Sequence, residues 1–497
     1  MAAKAVDRTS VATLGVIPAP LAVGLAMGGL AVLVSTLTGL ILDDADNRGP
    51  VALMLLVGLA SLGLAAVSWR FQRQGRVTSV MAMSMLVAAW FGVTIVGHAA
   101  FFVSGEFASF VDGMFEAVSA TTTTGFTTIP DPQELTHTTR LLRVLLPWST
   151  GFGVLIAGMG VLPVAVAGVE LAPFRPLTGG RQLVTSASAS LRRIVGMYML
   201  LTGSLVVGYL IAGMSPFDAA SYAFSTASTG GMANHADSIG AFDSLAVDLV
   251  ATLGMIAAGG NLLVVWWAFR REWKPVWHST ELRLYLSLLT LGFLAIWASD
   301  SELSALDGAF AASSMLSTTG FRGANWAGGA PLTEALLLVA AGIGAMSGSV
   351  GSGFRLARAA RVALEVRRGL WVLLNPNRVG VVRMDGVGVS ERSLSLTYGY
   401  LWMHLLTLAV VAATLNPRGF DVVGTLSFTV GLVSNVGVYV DGGQISSHVA
   451  LSGWTENVAA FGMLLGRLSI YPVIVTISGL GRAIFRLRPR AAYELAN

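Results

Sequence analysis

The chain has 497 residues, 54% of them hydrophobic and only 12% charged, and its mean hydropathy is +0.71. Soluble domains carry about 25% charged residues, so soluble multi-domain architectures are excluded and an integral membrane protein is expected. The net charge of +4 is small, and the lack of cysteine excludes disulfides, thiolate metal sites and cysteine nucleophiles.

A spanning helix needs roughly 20 apolar residues. In chain order the candidate spans are 11–42, 50–68, 77–103, 141–167, 194–213, 244–269, 282–299, 331–354, 396–415 and 455–480. The first reads as a membrane helix rather than a signal peptide, because no small-residue cleavage site follows it. Basic residues set orientation, since Lys and Arg accumulate on the cytoplasmic side. With both termini cytoplasmic, the inner side holds most of the 31 basic residues: Lys4, Arg8, Arg70, Arg73, Arg76, Arg175, Arg181, Arg192, Arg193, Arg270, Arg271, Lys274, Arg283, the set from Arg355 to Arg392 and the set from Arg482 to Arg490. The outer side holds Arg48, Arg140, Arg143, Arg322 and Arg418, while Arg467 falls inside a span. Many acids fall in or beside the outer segments, among them Asp112, Glu116, Asp131, Asp218, Asp237, Asp307 and Asp441. They read either as ordinary solvated loops or as a negative vestibule that concentrates cations.

After the third, fifth, seventh and ninth spans comes an apolar piece too short to cross a membrane. The four are FVDGMFEAVSATTTTGFTT (Phe110–Thr128), PFDAASYAFSTASTGGM (Pro216–Met232), ALDGAFAASSMLSTTGF (Ala305–Phe321) and GFDVVGTLSFTVGLVSNVG (Gly419–Gly437). Each ends in a polar turn, and alignment on Gly125, Gly230, Gly320 and Gly437 makes the four copies of one unit. The pattern divides the chain into two leading helices (1–76) and four helix–pore-loop–helix repeats at 77–170, 171–275, 276–372 and 373–497. Non-helical backbone at membrane depth is tolerated only where protein or a watery cavity surrounds it. Four such turns can enclose one axis, and rings of backbone carbonyls can replace the hydration shell of a potassium ion. The expected carbonyl donors and anchors are Thr123, Thr124, Gly125, Ser228, Thr229, Gly230, Thr318, Thr319, Gly320, Asn435, Val436 and Gly437. Asn435 and Val436 are expected to act through backbone alone, which leaves side-chain identity free. The competing reading is that small residues merely permit close helix packing.

In this order the motifs resemble the Trk/Ktr/HKT superfamily of potassium transporters, nearest its bacterial Trk-type potassium uptake membrane subunits. Beyond the turns, WSTGFGVLIAGMGVLP (Trp148–Pro163), STGGMANHADSI (Ser228–Ile239), GSVGSGFR (Gly348–Arg355) and MLLGRLSIYPVIV (Met463–Val475) carry the likeness. Departures from the family pattern are Val438 and Tyr439 after the fourth glycine, Val350 and Ser352 in the glycine-rich stretch, and Ser469. The resemblance implies an all-α membrane protein around one central pore, taking up potassium across the plasma membrane. It also implies a homodimer and cytosolic nucleotide-binding regulatory subunits on the inner face. Potassium is then the only cofactor-like ion, with no organic cofactor and no nucleic acid partner. A Kdp-type pump's potassium-binding subunit shares the four-repeat plan and is the alternative within transport. A membrane enzyme or receptor is the alternative from another class, and no nucleophile with a plausible base supports an enzyme.

Gly342, Gly344, Gly348, Gly351 and Gly353 crowd the eighth span, where each interior glycine weakens a helix by roughly 1 kcal/mol. A mobile break is expected there, with tight packing as the other reading. Arg467 reads either as a structurally paired arginine or as a charge beside the ion path, where intramembrane charges usually lie. The stretch and Arg467 together are the expected gate. The basic segment Arg355–Arg392 suits either lipid headgroups or a cytosolic partner.

Overall fold

A computed structural model describes residues 18–43, 47–72, 79–160, 187–299, 304–323, 331–375, 380–415, 421–441, 444–451 and 453–487. Of the topology residues, Lys4, Arg8, Arg73, Arg76, Arg175, Arg181, Arg378, Arg418, Arg488 and Arg490 lie outside this set, as do 11–17, 77–78 and 161–167 of three expected spans.

The described residues are nearly all helical. In chain order the helices are α1 (Pro18–Leu42), α2 (Arg48–Arg70), α3 (Ser79–Ser104), α4 (Phe110–Thr121), α5 (His137–Gly160), α6 (Ala187–Ile211), α7 (Pro216–Ala227), α8 (Leu245–Gly259) and α9 (Leu262–Phe269). They continue with α10 (Trp273–His278), α11 (Thr280–Ser299), α12 (Ala305–Leu316), α13 (Pro331–Ile343), α14 (Leu356–Leu374), α15 (Glu391–Leu415), α16 (Val422–Ser434), α17 (Trp454–Leu468) and α18 (Ile470–Leu487). Two small antiparallel hairpins, Arg383–Met384 with Val387–Gly388 and Tyr439–Asp441 with Gln444–Ser446, are the strands among the described residues.

Six described helices are long and apolar enough to cross a membrane, and two bent pairs raise that to eight. The bent pairs correct the expectation of continuous spans at 244–269 and 455–480. The first turns through 111° between α8 and α9, where Gly259 and Gly260 give way to Asn261, whose side chain caps α9 by accepting from Leu263 N at 2.9 Å. The second turns through 108° at Ser469, a residue held at φ +64°. The span expected at 331–354 is also not one helix, for α13 stops at Ile343 and an irregular stretch runs to Arg355.

Close approach between small residues seats the leading helices. A Cβ on Gly24 would lie 2.0 Å from Ala89 O in α3, and one on Gly29 would lie 2.2 Å from Ser61 Oγ in α2. Asp43, just past α1, accepts from His137 N at 2.7 Å and from Thr138 Oγ1 at 2.5 Å, which ties α1 to the start of α5.

The four short pieces fold alike. Ser109, Ser215, Ser304 and Asp421 each cap a short helix, accepting from Asp112 N, Asp218 N, Asp307 N and Gly424 N. Beyond each helix, at the same distance from its cap, stands a left-handed residue: Thr123, Thr229, Thr318 and Asn435. Asp421 is itself the cap of its helix, whereas Asp112, Asp218 and Asp307 sit three residues after theirs.

Candidate functional site

The turns after α4, α7, α12 and α16 carry the same backbone hydrogen bonds. Thr124 N, Gly230 N, Thr319 N and Val436 N donate to Ser119 O, Ser225 O, Ser314 O and Gly431 O at 2.8–3.0 Å. Thr123 N, Thr229 N, Thr318 N and Asn435 N donate to the carbonyls of Ala120, Thr226, Met315 and Leu432. These bonds correct the sequence register in the second copy. Gly230 matches Thr124, so Gly231, at φ +68°, is the counterpart of Gly125 (+93°) and Gly320 (+77°). Ser228 matches Thr122, one residue before the set it was expected to join. Two adjacent glycines made the sequence alignment ambiguous, and backbone bonding resolves it.

The four turns meet. A Cβ added to Gly125 would lie 2.9 Å from Gly230 O, one on Gly231 would lie 2.4 Å from Thr319 O, one on Gly320 would lie 2.8 Å from Gly437 N, and one on Gly437 would lie 2.4 Å from Thr124 O. Each turn therefore abuts the next in cyclic order, and no side chain fits at these glycines. All of Thr123, Thr124, Thr229, Thr318, Thr319, Asn435 and Val436 are buried.

Asn435 departs from the backbone-only expectation. Its Nδ2 donates to Thr124 Oγ1 and to Met463 O, both at 2.9 Å, joining the fourth turn to the first and to α17. Its side chain is therefore not free to vary.

Behind the turns, α4 and α5 hold an ion pair that sequence reading assigned to the outer loops. Arg143 Nε lies 2.6 Å from Glu116 Oε1, with the two side chains 1% and 0% exposed. An arginine inside the apolar run of α5 was the available signal. At the start of α7, burial pushes the Asp218 carboxyl up, but His235, whose Nε2 lies 3.6 Å away, and hydrogen bonds from Asn234 and Ser215 outweigh it and hold it at about 2. His235 Nδ1 hydrogen-bonds Gln133 Nε2 at 2.5 Å.

The glycine-rich stretch packs against the same assembly. Gly342 closes α13, while Gly344, Gly348 and Gly353 adopt φ of +74°, +86° and +86° in the loop that follows. Gly351 lies where a Cβ would stand 2.6 Å from Ser317 O, and Ser352 N donates to Thr318 Oγ1 at 2.9 Å, so the loop touches the third turn directly. Arg467, 7% exposed, donates from Nη1 to Val350 O and Ser352 Oγ, both at 2.8 Å. The loop and Arg467, far apart in sequence, are brought together. Two further pins were missed: Asn261 Nδ2 donates to Ser347 O at 2.7 Å, and Ser347 N donates to Glu281 Oε1 at 2.5 Å. Asn261 lies inside the expected span 244–269, where a polar residue is the signal that could have found it, whereas Glu281 precedes the expected span 282–299.

The arrangement is that of a polytopic membrane protein whose four short helices aim their C-terminal ends at one point. A family model described as cation transport protein matches residues 57–297 and 287–481. The chain belongs to that family, one of transporters and not of enzymes. It is 28% identical over 387 residues to the Trk system potassium uptake protein TrkH of Vibrio parahaemolyticus, covering 74% of this chain and 79% of that one. It is 28% identical over 413 residues to the Trk system potassium uptake protein TrkG of Escherichia coli, covering 80% and 84%. The solved structure of the potassium transporter TrkH from Vibrio parahaemolyticus superposes with a TM-score of 0.80 at 25% identity, covering 92% of this chain and 98% of that one.

Proposed function

We propose that the chain takes up potassium across the plasma membrane through the point where the four turns meet. The ring of abutting glycines carries this reading, because it sets four carbonyl-bearing turns around one axis. The carbonyls of Thr123, Thr124, Thr229, Gly230, Thr318, Thr319, Asn435 and Val436 are the proposed ligands, with Gly125, Gly231, Gly320 and Gly437 as the close-approach positions. Thr123 Oγ1 and Asn435 Oδ1 are buried there without hydrogen-bond partners among the described residues, as polar atoms lining a hydrated path would be. The negative ends of four helices add favourable potential for a cation.

The glycine loop with Arg467 is the proposed gate. A fixed positive charge beside the path raises the barrier to potassium, and the loop can occlude or clear it. The family match favours this protein class over a Kdp-type pump subunit and over an enzyme or receptor. The basic bias of the inner side supports cytoplasmic termini, and the family likeness supports a homodimer with nucleotide-binding regulatory subunits on that side. The test is rubidium uptake into vesicles holding the purified protein. Uptake that potassium competes away supports the reading, and vesicles no more permeable to rubidium than empty ones overturn it.

A further inference from the structure

The backbone just outside the four glycines is closed into a belt by side chains that repeat nowhere in the fourfold pattern. Two residues after Gly125, Thr127 Oγ1 donates to Glu116 Oε2 at 3.0 Å. Two residues after Gly231, Ala233 O accepts from Arg143 Nη1 at 3.0 Å. The Glu116–Arg143 pair thus spans the first and second turns at one level, and Arg143 Nη2 adds Met232 Sδ at 3.6 Å. Two residues after Gly320 stands Arg322, whose guanidinium donates to Ala236 O in the second copy and to Ile445 O, at 3.2 Å, in the fourth. The fourth copy closes on the first through backbone alone, with Thr127 N donating to Ser447 O at 3.1 Å and Val449 N donating to Thr127 O at 2.9 Å.

Fourfold repetition does not require these groups. In the register fixed by the turn hydrogen bonds, Glu116 corresponds to Tyr222, Ala311 and Phe428. Arg143 braces its own copy through Glu116 and reaches the second through Ala233 O, while Arg322 reaches from the third copy to the second and the fourth. A guanidinium presents several donors in a rigid plane, so one Arg143 engages a carboxylate, a carbonyl and a sulfur at once. Lysine, a point charge on a flexible stem, would retain attraction to Glu116 without that fork.

We propose that Arg143, Glu116 and Arg322 are positioning residues that set cation specificity, by fixing the width of the four-turn ring from its outer side. The inference rests on the transport reading given above. Potassium and sodium share a charge and differ in size, so carbonyls can discriminate between them only through spacing, number or field. Such a constellation must be held within about 0.5 Å by its supporting groups. The turns hold their own shapes by local bonds, whereas their separation is braced by the belt together with the Asn435–Thr124 tie between the fourth and first turns.

The test uses the full-length protein in vesicles, with rubidium uptake competed by potassium and by sodium. Arg143→Lys keeps the charge and loses the fork, while Arg322→Gln cuts the belt at a second, less buried point. The expected result is an approximately tenfold fall in the potassium-to-sodium competition ratio in each variant, with rubidium uptake itself retained. The double variant Arg143→Lys/Arg322→Gln should discriminate least. Variants that are monodisperse and discriminate as the parent does overturn the proposal. If Arg143→Lys does not fold, Arg322→Gln decides alone by the same ratio. A parent that carries no rubidium fails differently, overturning the transport reading and with it the role of the belt.

Discussion

The four turns and the glycine loop both place non-helical backbone inside a helical bundle, yet they are secured differently. Each turn is held by bonds to its own short helix, from Thr124 N to Ser119 O and its three counterparts. The loop has backbone bonds of its own, such as Ala345 N to Ser352 O, and is pinned besides by side chains from remote elements: Asn261 before α9, Glu281 in α11 and Arg467 in α17. A turn bonded to its own helix cannot open without unwinding that helix. A loop pinned from outside can exchange its pins while every helix survives. The difference suits a fixed ring beside a switchable stretch. A direct bond between them, Ser352 N to Thr318 Oγ1, gives a route for coupling.

Breaking the ring should have the largest effect. Gly231→Ala drives a Cβ to 2.4 Å from Thr319 O at a positive φ, so potassium-competed rubidium uptake should be lost in a protein that still inserts. Gly230→Ala, whose Cβ meets the Pro147 side chain at 2.9 Å, should retain part of that uptake. Equal loss in both would return the anchor to the register read from sequence.

Releasing the loop comes next. Hydrogen bonds from a charged donor each contribute about 1.5–3 kcal/mol, and about 1.4 kcal/mol changes a population tenfold. Arg467→Ala removes two such bonds, about 3 kcal/mol or more together, and the charge, so rubidium uptake should rise by about a hundredfold or more with the potassium-to-sodium ratio unchanged. Uptake no higher than the parent's, in a protein that folds, would place the gate elsewhere.

A smaller effect is expected from Asn435→Ala, which cuts the side-chain tie between the fourth and first turns. Discrimination against sodium in the same competition assay should fall several-fold, and Val436→Ala, with no side-chain hydrogen bond to lose, should fall less. The smallest effect concerns acid. The Asp218 carboxyl is held below its ordinary value, at about 2, so its contribution to stability is complete above about pH 4 and is lost as pH falls toward 2. Thermal unfolding of the parent should therefore shift down more between about pH 5 and 3 than that of Asp218→Asn. Parallel shifts would contradict the assignment.

The same contrast explains what the sequence discloses. The turns were legible because local bonding demands the same small residues four times, and repetition is visible in one chain. The register of the second turn was not, because glycine stands at both 230 and 231 and only hydrogen bonding distinguishes them. The loop was legible as a cluster of glycines, and Arg467 as a charge in an apolar run, but the 2.8 Å contacts joining them were not. Contacts between distant residues leave no periodic trace. Arg143 and Glu116 show the cost most clearly: charge placed them on the outer side, while packing buries them as a pair behind the ring. The bends at Gly260 and Ser469 were hidden because an apolar run resumes at once after each, so that either pair of helices reads as one span.

The central claim is that four turns form one ring whose geometry selects the cation. The most direct measurement is the potassium-to-sodium competition ratio of rubidium uptake by Gly125→Ser in vesicles. Gly125 stands at φ +93°, and a Cβ there would lie 2.9 Å from Gly230 O, so the substitution must displace the first turn against the second. The account predicts that sodium then competes nearly as well as potassium. A folded Gly125→Ser protein that discriminates as sharply as the parent would contradict it.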